Sequence, residues 1–178
     1  MKRLLFMLFL GITGIGFGQA PFLINWEKSF GGNDDDVGHA IKKTDDGGYI
    51  FCGRVTSSLF LDYDVTEYLG NDDFWVVKID SEQNLQWQKS LGGSASEQAF
   101  DIIQTNDLGF VVVGQTSSND GDVTVNSGVQ DCWIVKLNFE GVLEWQKSIG
   151  GSDSDIGYSC IQDFDGNIIV VGESNNRG

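Results

Sequence analysis

Three copies of one seven-residue pattern constrain the fold more than any other feature of this chain. The copies read WEKSFGG at residues 26–32, WQKSLGG at 87–93 and WQKSIGG at 145–151. They start 61 and 58 residues apart, and self-similarity at such a period is typical of solenoids, propellers and arrays. The chain is therefore built from repeat units, and each residue is best interpreted beside its counterparts in the other units.

Each unit contains four short runs of strand-like sequence, which we name strands A, B, C and D in chain order, with D carrying the tryptophan. The runs are rich in Val, Ile, Phe and Trp and are bounded by Gly, Asn and Asp, as expected for strands joined by hairpins. The 24 glycines and single proline of the chain suit many tight turns. The predicted strands are 37–43, 49–55, 74–80, 85–91, 98–104, 110–115, 132–138, 142–149, 156–162 and 168–173.

A four-stranded antiparallel sheet repeated in tandem is the blade of a β-propeller. We predict an all-β fold of about eleven strands, an incomplete propeller of about two and a half blades, with helix limited to the N-terminal segment. The units cover about residues 26–86, 87–144 and 145–178, and the last is partial. Because the third unit lacks strands C and D, we expect the chain to be a fragment of a larger ring.

The N-terminal residues are typical of an export signal and not of the repeat. A positively charged start precedes an apolar run at 4–17 that is short for a membrane span. We predict cleavage after Gly18; cleavage after Ala20 is the less favoured alternative, because a proline would follow the cut bond. Residues 1–18 are then a signal peptide and residues 19–178 a repeat region that is secreted or displayed at the cell surface, with no membrane insertion after signal removal.

The chain is strongly acidic. Its formal net charge is −15 at pH 7 and becomes −17 when the two basic residues of the signal are removed. Such a surface repels nucleic acid and anionic membranes, which excludes both as partners. Cationic partners and divalent ions remain open, and so does a surface whose charge only keeps the protein soluble.

The residues with the most reactive side chains stand at packing positions. Cys52, Cys132 and Cys160 each occupy a place where another unit has Val, Ile or Phe, so we predict free, buried and slowly reactive thiols. His39 is the only histidine, and its counterparts are aromatic residues, which predicts aromatic packing and not a ligand or a general base. The tryptophans recur with the period and are predicted to anchor blade to blade, at positions 26, 75, 87, 133 and 145. The repeated lysines at positions 28, 89 and 147 are predicted to line an outer edge.

The acidic residues are interesting because of where the topology places them. In an up-and-down sheet the D-to-A and B-to-C connections emerge on one face, and the long B-to-C loops at 56–72 and 116–130 make this the predicted binding face. That face would collect Asp34, Asp35, Asp36, Asp62, Asp64, Asp72, Asp73, Asp120, Asp122, Asp131, Asp153 and Asp155. Carboxylate oxygens are the ligands that Ca²⁺ prefers. The candidate calcium ligands are Asp120, Asp122, Asp153 and Asp155, and the alternative is a solvated acidic face with no cofactor.

The segments VVKIDSEQNLQWQKSLGG at 76–93 and IVKLNFEGVLEWQKSIGG at 134–151 carry a family resemblance. They resemble the blade motif of quinoprotein-dehydrogenase-like propellers, in which strand C ends in an Asp-containing turn and strand D carries a Trp followed by a Gly. The whole unit, over residues 24–172, is similar to the tandem repeats of large secreted propeller proteins of environmental bacteria. The resemblance implies propeller blades in an extracellular protein, of a kind often exported through a C-terminal sorting domain.

No segment matches a quinone cofactor site, a cluster of catalytic bases or the QxDxNxVxY pattern of bulb-type lectins. We therefore predict a secreted, non-enzymatic repeat region that serves as a binding or adhesion scaffold, with an extracellular protein or a glycan as its partner. The alternative is a segment of a propeller enzyme whose catalytic parts lie in other blades. That enzyme would be a quinoprotein-like oxidoreductase or a polysaccharide-acting hydrolase.

Overall fold

The computed structural model of the protein describes residues 24–56 and 67–175, together with Val65 and the backbone of Leu5 and Phe6. The rest of the predicted signal peptide and most of the first B-to-C loop lie outside the described residues. The described part is all-β, and it contains no helix of a length and hydropathy that would cross a membrane. The strands are β1 Leu5–Phe6, β2 Lys28–Ser29, β3 Val37–Lys43, β4 Tyr49–Thr56, β5 Asp72–Ile79, β6 Leu85–Leu91, β7 Glu97–Gln104, β8 Phe110–Thr116, β9 Asp131–Leu137, β10 Leu143–Ile149, β11 Asp155–Gln162 and β12 Ile168–Ser174.

The strands form antiparallel sheets in tandem, as predicted. Strands β3 to β6 are A to D of the first unit, β7 to β10 are A to D of the second, and β11 and β12 are A and B of the third. The long strands begin and end within two residues of the predicted runs. Strands β6 and β10, which carry Lys89 and Lys147 of the repeated pattern, lie at sheet edges. None of the described sheets closes on itself.

The N-terminal pair of strands differs from the prediction. The sequence interpretation leaves Leu5–Phe6 out of the fold and confines helix to the N-terminal segment, whereas Leu5–Phe6 is a strand that pairs antiparallel with Lys28–Ser29. Lys28–Ser29 belongs to the first WxKSxGG pattern and stands at the position of strand D in that pattern. Its backbone pairs with Leu5–Phe6 as an added strand.

Neighbouring units pack sheet against sheet, and the core lies between them. Strand β7 contacts β3, β4 and β5, and β11 contacts β7, β8 and β9. In β4, Ile50 and Cys52 join the cluster between the first two sheets, while Phe51 and Val55 join the cluster on the opposite face with Phe30. Strands B and C of the first two units are therefore apolar on both faces, because these two sheets are covered from both sides.

Strand A of every unit carries a β-bulge at the same place. The register shifts at His39 in β3, at Phe100 in β7 and at Tyr158 in β11. The ring of Phe100 lies 5.2 Å from that of His39 and 5.5 Å from that of Tyr158, centroid to centroid. The three bulged residues thus form an aromatic row across neighbouring strands A, and His39 packs as an aromatic residue, as predicted.

The three thiols are free and buried, as predicted. Burial raises the pKa of Cys52 well above its ordinary value, and it raises the pKa of Cys132 to about 11 and that of Cys160 to about 12. Nearby carboxylates add to the shift, through Asp101 for Cys160 and through Asp155 for Cys132. Since the thiolate is the reactive form, these cysteines act as small apolar side chains.

Candidate functional site: the acidic junctions

The D-to-A and B-to-C connections meet on one face, as the topology predicts. The N–H of Asn71 donates to the carbonyl of Ala95 at 2.9 Å, and the N–H of Ser117 donates to the carbonyl of Ser96 at 3.0 Å. We name the places where a glycine pair of the repeated pattern leads into strand A the junctions. Junction 1 holds Gly31 and Gly32, junction 2 holds Gly92 and Gly93, and junction 3 holds Gly150 and Gly151.

A buried carboxylate closes each junction in the same way. The second glycine donates its N–H to a carboxylate four residues later: Gly32 to Asp36 at 2.6 Å, Gly93 to Glu97 at 2.8 Å and Gly151 to Asp155 at 2.8 Å. The other oxygen reaches the end of strand B, since Thr56 N–H donates to Asp36 and Ser117 N–H donates to Glu97, both at 3.2 Å. Asp36 and Glu97 therefore fix the D-to-A turn to the end of strand B at junctions 1 and 2.

A second buried carboxylate, at the start of strand C, faces junctions 2 and 3. One oxygen of Asp73 accepts from Leu69 N–H and one oxygen of Asp131 from Ser127 N–H, both at 2.8 Å. The Oδ1 atom of each finds no hydrogen-bond donor among the described residues. At junction 2 this oxygen lies against Gly92, where a Cβ would clash with both Asp73 and Glu97. The first glycine of the pair is thus required by two carboxylates that converge on its Cα.

Burial and neighbouring carboxylates raise pKa values at junction 2. Burial first, and the nearby carboxylates of Glu97 and Asp122 after it, raise the pKa of Asp73 to about 6, against the hydrogen bonds from the backbone of Leu69 and Gly70 that lower it. Burial also raises the pKa of Asp122. At junction 1 burial raises the pKa of Asp36. Burial therefore disfavours the charged forms of Asp73, Asp122 and Asp36.

The second B-to-C loop docks onto junction 2. The N–H of Asp122 donates to the carbonyl of Gly92 at 2.8 Å, and its carboxylate accepts the Gly92 N–H at 3.2 Å. The carboxylate of Asp120 accepts the N–H of Ser94 at 2.7 Å. Val123 follows and is 2 % exposed in the cluster between the first two sheets. The loop is thus fixed by two acidic side chains and one apolar anchor.

The four candidate calcium ligands do not gather at one place. Asp120 and Asp122 lie at junction 2, whereas Asp155 closes junction 3 and the carbonyl of Asp153 accepts from Val129 N–H at 3.3 Å. Among the described residues, no three His, Cys, Asp or Glu side chains are arranged to hold a metal ion. The calcium site stays a prediction, and its other predicted neighbours Asp62 and Asp64 lie outside the described residues.

The sequence analysis did not predict the apolar residue that anchors each B-to-C loop in the core. Both B-to-C loops contain an Asp-x-Asp-Val-Thr segment, at 62–66 and at 120–124. Val65 is buried in the cluster with Phe30, as Val123 is buried in the cluster with Leu91. Alignment of the loops on this segment, in addition to the strands, would have predicted a docking role. The sequence analysis instead interpreted Asp120 and Asp122 as calcium ligands or as part of a solvated acidic face, and it placed Asp62 and Asp64 on that face.

Comparison with models of protein families finds none that matches the chain. Comparison with curated proteins finds no significant match either.

Proposed function

We propose that the chain is a β-propeller repeat region of an extracellular or cell-surface protein and that it serves as a binding or adhesion scaffold. The observation that carries the proposal is the face on which the junctions and the B-to-C loops lie. Buried carboxylates fix the turns of that face repeat after repeat, so long loops stand on a rigid base. Loops of this kind on a rigid scaffold are where binding residues concentrate.

The propeller assignment rests on the way the units pack. Each complete unit is a four-stranded antiparallel meander, and strand A of one unit packs against strands A, B and C of the unit before it. The blades of a propeller have this order and this contact pattern. The repeated bulge on strand A sets the same local twist in all three units.

The chemistry of the face favours a partner with positive charge. Asp34, Asp35, Asp120 and Asp153 are exposed there, and a surface dense in carboxylates raises the encounter rate of cationic ligands. A basic surface of an extracellular protein or an amine-bearing glycan fits this face. Nucleic acid and anionic membranes do not.

The test measures binding of an amino-sugar oligosaccharide and of a basic protein to the immobilised chain at about 0.15 M salt, where unspecific attraction is screened. The variant carries Asp34→Asn, Asp35→Asn and Asp153→Asn. The matched control carries Asp45→Asn, Glu82→Gln and Asp165→Asn, which remove the same charge from exposed turns of the A-to-B and C-to-D connections. We expect the face variant to weaken binding about tenfold, with little change in the control.

Two results would contradict the proposal. An equal effect of both variants would mean that binding follows net charge alone. Oxidation of an alcohol substrate by the chain after addition of a quinone cofactor would favour the enzyme alternative.

A further inference from the structure

Each of the three junctions forms a groove of the same kind, and among the described residues the groove at junction 3 is open. The base of each groove is the apolar residue before the glycine pair, which is Phe30, Leu91 or Ile149. Phe30 is 7 % exposed and Leu91 is 4 % exposed, whereas Ile149 is 50 % exposed. The first two grooves are occupied by Val65 and Val123, each 2 % exposed, from the Asp-x-Asp-Val-Thr segments.

Junction 2 shows what an occupied groove requires. The occupant offers a carboxylate to the N–H of the first glycine, an N–H to its carbonyl and an earlier carboxylate to Ser94 N–H. The apolar side chain of the next residue, Val123, which is three positions after Asp120, then completes the cluster with Leu91, Ala99 and Val112. The groove therefore binds its occupant through hydrogen bonds to the backbone and the carboxylates of the segment and through one buried apolar side chain.

At junction 3 no described residue occupies the corresponding groove, which has a volume of about 460 Å³. Several of its lining residues are the counterparts of residues of junction 2 or of the cluster that holds Val123: Cys132, Ile149, Gly150, Asp155, Gly157 and Val170. Two of them are smaller than their counterparts, since Cys132 replaces Phe74 and Gly157 replaces Ala99. The open groove therefore has room for a larger apolar side chain than valine.

We infer that the groove at junction 3 binds an Asp-x-Asp segment followed directly by an apolar residue, of the kind that the second B-to-C loop of this repeat places in the groove at junction 2. The first carboxylate would accept from Ser152 N–H, the counterpart of Ser94, and the second from Gly150 N–H. The apolar residue would cover Ile149. A second copy of the segment 120–124 from a folded chain is not free to do this, because that segment is bound at its own junction 2.

The test uses the whole chain and a fluorescent peptide with the sequence of residues 118–128, and it follows anisotropy as protein is added. We expect saturable binding with a Kd of about 1 mM or tighter, since a short flexible peptide loses conformational freedom on docking. A peptide with Val123→Ser should bind at least about tenfold more weakly. A peptide with Val123→Leu should bind at least as tightly as the original because of the wider groove.

The location is tested on the protein side. We expect Ile149→Ser to weaken peptide binding, while Ile161→Ser, which replaces an equally exposed isoleucine outside the groove, leaves it unchanged. The peptide should also slow modification of Cys132, which lines the groove, by a small thiol reagent. Cleavage and mass spectrometry separate Cys132 from the other two thiols.

Three outcomes would overturn the inference. One is absence of binding at about 5 mM peptide, well above the expected Kd. Another is equal binding of the Val123→Ser peptide. The third is concentration-dependent self-association of the chain that Ile149→Ser abolishes, because a second folded copy would then be what covers the groove.

Discussion

At the scale of residues, Asp73 shows how these junctions bury a carboxyl group. It is fully buried, and one of its oxygens accepts a backbone N–H while the other faces Gly92 beside Glu97. A buried carboxyl group near a second carboxylate favours its protonated form. Asp131 and Asp155 repeat the arrangement around Gly150, so the pair belongs to the repeat and not to one site.

The pH dependence of stability should report on Asp73. Its pKa is about 6 in the folded chain against an ordinary value of 3.8, so the folded state binds more protons between these values. Unfolding free energy should therefore fall as pH rises from about 4 to about 6, by up to about 3 kcal/mol from this group. Asp73→Asn should remove this fall and leave the chain at least as stable at neutral pH, because the amide carries no charge.

Urea unfolding across this pH range provides the measurement. Asp165→Asn, which removes one charge from an exposed turn, is the matched control and should keep the wild-type slope. If Asp73→Asn loses stability with pH as steeply as the wild type, Asp73 is not the group that titrates.

At the scale of elements, the tryptophan of strand D joins one sheet to the next. Trp87 on β6 lies 5.8 Å from the ring of Phe110 on β8 and donates its Nε1–H to the carbonyl of Phe139 at 3.1 Å. The ring of Trp26 lies 6.2 Å from that of Tyr49 at the start of β4, which corresponds to Phe110 at the start of β8. Trp145 is 44 % exposed. Burial of this side chain therefore depends on the unit that follows it.

Because Trp87 and Trp145 differ in their contacts with a following unit, replacing each by alanine should lower the unfolding free energy by different amounts. We expect Trp87→Ala to lower the unfolding free energy by about 3 kcal/mol, because it empties the contact between two sheets. Trp145→Ala should cost about 1 kcal/mol or less, since much of its surface is already in water. The two urea midpoints, measured with equal m values, give the comparison. Equal losses would mean that Trp87 contributes through its own sheet and not through the next one.

At the scale of the whole molecule, an acidic surface and a specific cation site predict different responses to divalent ions. The carboxylates of Asp120 and Asp122 already accept backbone N–H groups at junction 2. We therefore expect Ca²⁺ and Mg²⁺ at equal ionic strength to raise the Tm equally, by screening the net negative charge.

Thermal unfolding with each ion, in the wild type and in Asp120→Asn, measures this response. A specific site would give a larger rise with Ca²⁺, corresponding to about 2.7 kcal/mol at a hundredfold excess over Kd. A Ca²⁺ response that Asp120→Asn removes would establish the metal site predicted from the sequence and contradict screening alone.

The repeat made much of the fold predictable. Because three units share one pattern, the strands, the sheet order and the common face of the D-to-A and B-to-C loops all followed from alignment of the chain with itself. The packing roles of His39 and the cysteines followed for the same reason, since their counterparts are aromatic or apolar. The candidate site was predicted less well, because the same alignment does not tell whether an aspartate binds a cation or a backbone N–H.

Strand periodicity and repeat spacing are local properties of the chain, and they were sufficient to predict the all-β tandem sheets and the buried positions. Which groups meet became visible in the folded chain alone: Asp73 with Glu97 at Gly92, Val123 in one cluster with Leu91, and the open groove beside Ile149. These contacts join residues from different units and loops. Their geometry depends on how one sheet packs against the next, which no single stretch of sequence specifies.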